Sequence, residues 1–238
     1  MCTVVVLVRP GHAWPVTIAA NRDEQLARAW DSPGAWWPDH PGVIGGRDRS
    51  AGGTWMALHR TDGVAAAVLN RPGTLGPLAG KRSRGDLPLW AVSRGSAAAG
   101  AAAIGALDAA EWRGFNLVVA DRAGAYFVRG TGFGRPEVQP LPASLSVVTA
   151  HDPNDLESPR IARHLPRFAA AAAPEPGDWK TWPRLLGDRS GGLQEQLDIA
   201  PRGGFGTVCS SLLALPAEGP PVWLFAPGRP GETPFTAV

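Results

Sequence analysis

The chain has 238 residues, 44% of them hydrophobic and 18% charged, with 30 Gly, 24 Pro and ten Trp. This composition excludes a disordered, collagenous or coiled-coil chain, and the length suits a single domain, 1–238, around one large core. The net charge of +2 arises from 21 Arg and two Lys scattered along the sequence, which argues against nucleic acid as the main partner.

Residues 2–9, CTVVVLVR, form a β-branched apolar run closed by Pro10-Gly11, and residues 15–21, PVTIAAN, form a second, so the first element expected is a hairpin. Further strands are predicted at 43–46, 54–58, 64–70, 115–121, 126–129, 145–149, 207–215 and 222–225, and helices at 87–93, 97–110 and 158–172. Pro166 interrupts the last helix, where a kink or an early end is expected. The Pro- and Gly-rich stretches 31–42, 71–80 and 174–178 read as loops, and 216–221 as a hairpin connection. Strands come first and last with helices between them, which favours α+β over a repeating βαβ pattern.

Val4–Val8 is apolar at every position rather than alternating, the signature of a strand covered on both faces. Chain ends are normally exposed, so a buried strand from residue 2 needs a reason, which a site at its head would supply. Two packed sheets with helices outside, four αββα layers in all, would cover both faces of each sheet. Cys2 and Cys209 lie 207 positions apart and form neither a disulfide framework nor a metal-binding pattern, so a reducing, cytoplasmic setting is expected. No apolar run reaches the roughly 18 residues of a membrane span. Val4–Val8 is also too short for a secretion signal, and Arg9 lies on its wrong side.

Three pieces could carry chemistry. The first is Met1-Cys2: removal of Met1 would place a thiol and a free α-amine on one residue, and the amine titrates at about 7.7 to 8.0, close enough to neutral to take the thiol proton. Position alone leaves open that Cys2 is a small core residue. The second is the tetrad Asn21-Arg22-Asp23-Glu24 closing the second strand. In an extended segment Asn21 and Asp23 face one way, Arg22 and Glu24 the other. A carboxylate there could hold an α-ammonium, and Arg22 could depress the thiol pKa or bind an anionic group; a solvated strand end with local ion pairs is the competing reading. The third is Leu69-Asn70-Arg71-Pro72-Gly73, where Asn70 either aims its amide at an oxyanion or opens a turn. Asn21, Trp55 and His151 complete the candidates as substrate-binding side chains, while Cys209 reads as buried and inert. No metal site is read, and no Gly pattern fits a P-loop or dinucleotide fingerprint.

The ordered set Met1-Cys2-Thr3, Asn21–Glu24, Gly46-Arg47-Asp48, Gly52-Gly53-Thr54-Trp55, Ser83-Arg84-Gly85, Phe115-Asn116-Leu117 and Gly206-Thr207 resembles the NRDE family, also called the transport and Golgi organization protein family. That resemblance implies an αββα fold of the N-terminal nucleophile hydrolase superfamily with Cys2 as nucleophile. A fainter resemblance, of Leu69–Gly73 to the penicillin V acylase and bile acid hydrolase branch, implies the oxyanion role for Asn70; Arg22 with Asp23 would organise the amine and thiol. The expected activity is hydrolysis of a small amide or thioester without a cofactor. The alternative is a binding or trafficking protein for haem, acyl-CoA or another lipid that keeps the fold without turnover, which the family's association with haem and lipid homeostasis and the Trp-rich segment 30–37 motivate.

Overall fold

The computed structural model describes residues 2–238. In chain order its strands are β1 (Thr3–Val8), β2 (Val16–Gln25), β3 (Trp30–Gly34), β4 (Val43–Asp48), β5 (Thr54–His59) and β6 (Val64–Asn70). Helices α1 (Asp86–Val92) and α2 (Ala97–Gly105) follow, then β7 (Phe115–Asp121), β8 (Gly124–Gly130), β9 (Glu137–Pro140) and β10 (Leu145–Val148). The chain ends with α3 (Pro159–Ala170), α4 (Trp182–Leu186), β11 (Phe205–Leu215), β12 (Val222–Ala226) and β13 (Thr236–Ala237). These elements form two compact units, one from residues up to Arg28 together with Pro142–Val238, the other from Ala29–Leu141.

In the first unit an antiparallel sheet has the order β10-β1-β2-β11-β12-β13. Val5, Ala19, Val147 and Leu212 from this sheet pack with Ile161 and Phe168 of α3 and Trp182 and Leu186 of α4. The opposite face of β1 carries Val4, Val6 and Val8, which are also buried. The double-faced burial read from the unbroken apolar run is therefore present. In the second unit the order is β3-β4-β5-β6-β7-β8-β9, again antiparallel. Leu87, Val92 and Ile104 of its two helices pack on Ala66, Leu117 and Val119 of this sheet.

Several boundaries differ from the sequence expectation for local reasons. The 97–110 helix ends at Gly105 because the Asp108 carboxylate accepts from Ala110 N at 2.9 Å and starts a separate 3-10 turn, Ala109–Glu111. α3 runs through Pro166 to Ala170. Its last turn is held by Phe168, which meets Trp182 edge-on at 5.1 Å between ring centroids, while Ser158 and Pro159 start the helix as capping chemistry requires. The 31–42 loop contains β3, an edge strand whose register shifts between Asp31 and Gly34, where Pro33 cannot donate to the ladder. α4 is an addition; five residues are too few for periodicity to reveal, and the burial of Trp182 and Leu186 sustains it.

Candidate active site

The site begins with register. Thr3 pairs with Asn21 across β1 and β2, and Asn21 pairs with Ser210 across β2 and β11. Residues directly opposite share a face, so Thr3, Asn21 and Ser210 lie together, and Asp23, two positions on, joins them. One step along, Cys2, Arg22 and Cys209 take the other face. The tetrad is thus divided: Asn21 and Asp23 point to the side of α3 and α4, while Arg22 and Glu24 share the side of Cys2. In keeping with this, Arg22 Nη2 lies 3.8 Å from Glu24 Oε2.

On the helix side the polar groups are closely engaged. Asp23 is buried; its Oδ1 accepts from the Thr207 hydroxyl at 2.7 Å and its Oδ2 from Arg160 Nη1 at 3.1 Å. The same Arg160 nitrogen lies 3.1 Å from Thr3 Oγ1. Both side chains of this ion pair are at most 1% exposed, so each charge has been taken out of water and depends on its partners. Asn21 Nδ2 donates to the carbonyls of Leu186 and Leu197 at 2.9 and 3.0 Å, and its Oδ1 accepts from Ser210 Oγ at 2.7 Å. Its amide therefore ties β2 to the segments around α4 and before β11.

Cys2 is partly buried, and its thiol donates to the Asp23 carbonyl at a sulfur distance of 3.6 Å. Burial first, and then the negative Asp23 carboxylate, push the thiol pKa up, outweighing opposing contributions that include the Asp23 backbone contact and, more weakly, Arg22. Cys209 is buried and its thiol pKa is likewise pushed well up, again by burial above all. With β2 between them, the two cysteines stand about two strand spacings apart, roughly 10 Å, too far for a disulfide.

His151 follows β10, the neighbour of β1, and its Nδ1 pairs with Asp155 Oδ2 at 3.3 Å. In the second unit Asn70 ends β6, half-buried, and its amide makes no hydrogen bond to another described residue. Next to it in the sheet, Asn116 Oδ1 accepts from Arg71 Nη1 at 2.6 Å. Trp55 stands edge-on to Trp30 at 5.7 Å and covers Gly46, where a Cβ would sit 2.2 Å from the indole. Among the described residues no cluster of three or more His, Cys, Asp or Glu is arranged to hold a metal ion, and no helix is long and apolar enough to cross a membrane.

Sequence reasoning missed Arg160 and Thr207 as partners of Asp23. Arg160 lies 137 positions away and carries no motif. One signal was available: Arg160 and His164 fall on the same helical stripe as Ile161 and Phe168, all four buried, and a charge on an apolar stripe must have a buried partner. Thr207 was visible only as part of Gly206-Thr207.

Comparison with known proteins bears on this arrangement. The family model described as Transport and Golgi organisation 2 matches residues 1–169. A sequence search of curated proteins gives no match. Among solved structures, the chain is similar to the Caenorhabditis elegans N-acylethanolamine-hydrolyzing acid amidase ortholog, with 12% identity and a TM-score of 0.59 over 89% of this chain and 92% of that one. It is also similar to a variant of the conjugated bile acid hydrolase from Clostridium perfringens, with 12% identity and a TM-score of 0.58 over 100% of this chain and 92% of that one. Identity this low speaks for the fold, which is the α+β fold of the N-terminal nucleophile hydrolases, the class expected from the sequence.

Proposed function

We infer that this chain, which belongs to the Transport and Golgi organisation 2 family, hydrolyses a small amide or thioester with Cys2 as the nucleophile. The observation that carries this reading is the head of β1: Cys2 shares a sheet face with Arg22, and its thiol touches the backbone of Asp23, whose carboxylate is pinned by Arg160 and Thr207. A buried ion pair beside a strand end serves no obvious packing need, since apolar residues of similar volume would do as well. It does fix a negative charge next to Cys2.

The chemistry requires that Met1 be removed. With its pKa raised, the Cys2 thiol is a weak nucleophile until a base takes its proton. The freed α-amine is that base. It accepts the thiol proton, directly or through one water, and sulfur attacks the substrate carbonyl to form a tetrahedral oxyanion. Collapse of this intermediate expels the amine or thiol leaving group, which receives the proton from the ammonium, and leaves a thioester on Cys2. Water then attacks the thioester, giving its proton to the α-amine, and the carboxylic acid departs as the proton returns to sulfur. Asp23 stabilises the ammonium formed in both halves, and Arg22 attracts an anionic substrate group. His151, which follows the strand β10 that pairs with β1, is a candidate substrate contact. Asn21, fully engaged by Leu186, Leu197 and Ser210, acts through the scaffold.

The test joins intact mass spectrometry with peptide mapping after treatment with an acylating probe. Met1-free protein labelled on Cys2 supports the reading. Retention of Met1 in all molecules, or label on Cys209 alone, overturns it. Full cellular function in a Cys2→Ala variant would instead favour ligand binding without turnover, with haem or an acyl-CoA as the ligand class.

A further inference from the structure

A second cluster of charges gathers on the segment that precedes β11. Asp198 is fully buried, and two guanidiniums from distant parts of the chain converge on it. Arg189 Nε donates to its Oδ2 at 2.7 Å, and Arg229 donates from Nε to Oδ1 at 2.9 Å and from Nη2 to Oδ2 at 3.2 Å. Glu232 bridges the two arginines, 2.5 Å from Arg189 and 3.0 Å from Arg229. The residues on either side of Asp198 contact the tetrad's partners through their backbones. Leu197 O accepts from Asn21 Nδ2 at 3.0 Å. Ile199 N donates to Thr207 Oγ1 at 2.8 Å while Thr207 N donates to Ile199 O at 3.0 Å.

The Thr207 hydroxyl has a single proton. Its oxygen accepts from Ile199 N, and of the two acceptors within reach of the proton, Asp23 Oδ1 at 2.7 Å and Leu197 O at 3.5 Å, the carboxylate is the nearer and the charged one. The position of Ile199 therefore bears on where the Thr207 hydroxyl sits, and with it on the Oδ1 side of the Asp23 carboxylate, while Arg160 holds the Oδ2 side. Segment 197–199 belongs to no helix or strand; backbone hydrogen bonds from Leu197 N and Asp198 N to Asp188 O, both 3.1 Å, hold it in part, and the buried Asp198 carboxylate is the charged side chain that anchors it. Both of its guanidinium partners lie outside the residues that the family model matches.

We propose that Asp198, clamped by Arg189 and Arg229, is a positioning residue for Asp23, acting through the Leu197–Ile199 backbone, Asn21 and Thr207. The proposal rests on the reading of Cys2 as nucleophile for its functional consequence, but not for its structural content. Asp198→Asn keeps the shape of the side chain and removes the charge.

Two readouts separate the possibilities: saturation kinetics of Cys2 acylation by the probe, and amide hydrogen exchange at Ile199. In a folded Asp198→Asn protein the maximal acylation rate should fall roughly ten- to hundredfold, as misplacement of a catalytic group by about 1 Å does. The half-saturating probe concentration should stay where it is, and exchange at Ile199 should quicken. A general loosening of the fold would move both kinetic constants and quicken exchange throughout β2 and β11. Unchanged rate and unchanged exchange would overturn the proposal. Should the parent protein fail to acylate at Cys2 while Ile199 exchange still quickens in the variant, the clamp stands and the hydrolase reading fails. Should Asp198→Asn not fold, Arg189→Gln takes its place, because Arg189 is 44% exposed and Arg229 keeps its grip on Asp198. A smaller effect in the same direction is expected from it, and none would refute the clamp.

Discussion

Arg160→Met tests the hidden side of the site. Methionine retains most of the aliphatic volume of Arg160 on α3 while deleting the guanidinium, so lost packing contributes little. What disappears is the 3.1 Å contact to Asp23 Oδ2 and the contact to Thr3 Oγ1. Because the pair is at most 1% exposed, solvent cannot replace the missing cation, and removing one partner of such a pair costs about 3–5 kcal/mol. For a chain of this length each kcal/mol lowers the melting temperature by about 2–4 °C, so the variant should melt roughly 6–20 °C below the parent by circular dichroism at pH 7. The double variant Arg160→Met with Asp23→Asn removes the orphaned charge as well and should regain at least half of the loss. Set against the Asp23→Asn single variant as well, the double variant gives the coupling between the two side chains. If Arg160→Met melts within about 2 °C of the parent, or the double variant recovers nothing, the ion pair is not what holds Asp23, and the account of the tetrad's inner face is wrong.

Three further outcomes follow from the same structure. Burial and the Asp23 carboxylate raise the Cys2 thiol pKa, so less thiolate is present at neutral pH and iodoacetamide should modify Cys2 more slowly than a free cysteine at pH 7.5. The deeply buried Cys209 should react only on unfolding, and native labelling of Cys209 ahead of Cys2 would contradict its burial. Burial lowers the pKa of His164, whose Nε2 lies 2.7 Å from Glu195 O. The unfolded chain then binds a proton that the folded one resists, so stability is lost as pH falls below about 6.5. Denaturant titrations at pH 7.5 and 5.5 should show a smaller difference for His164→Asn than for the parent; equal differences would rule this histidine out. Finally, a Cβ at Gly53 would lie 2.5 Å from Gly85 C, where Thr54 N donates to Gly85 O at 3.0 Å. Gly53→Ala should therefore cost about 1–3 kcal/mol, read as a lower denaturation midpoint, and an unchanged midpoint would show that these two motif glycines are not kept apart by space alone.

How far the site could be read from sequence depended on the kind of contact. Strand alternation separated Asn21 and Asp23 from Arg22 and Glu24 with no structure in hand, because the side-chain period of a strand is two. Which pair shares the face of Cys2 could not be read, since a one-residue slip reverses the answer. The observed pairing of Thr3 with Asn21 decides it. The partners of Asp23 and Asn21 were less legible still. Arg160 and Thr207 reach Asp23 across sequence separations of 137 and 184, and the acceptors for Asn21 are the backbone carbonyls of Leu186 and Leu197. Any residue type has a carbonyl, so that contact leaves no trace in composition or motif.

The same difference bears on the polar tetrad, for which the sequence offered either groups that organise Cys2 or a solvated strand end with local ion pairs. Four consecutive polar residues at a strand end are expected to meet solvent or substrate, yet Asn21, Arg22 and Asp23 are all buried, and two of the three point away from Cys2. The inner pair secures the strand end that carries Cys2 against α3, α4 and the segment before β11, and the Asp23 charge also raises the thiol pKa, which Arg22 on the other face lowers. A substitution at Asn21 and one at Arg22 should therefore fail differently. Loss of the Asn21 amide leaves two buried carbonyls without their donor, at about 1–3 kcal/mol each, and lowers stability whether or not the chain turns over a substrate. Replacement of Arg22 by Gln removes a charge that lowers the Cys2 pKa and should slow Cys2 modification more than it lowers the melting temperature. If the two substitutions instead change stability and thiol reactivity in the same proportion, the separation of a structural role for Asn21 from an electrostatic role for Arg22 does not hold.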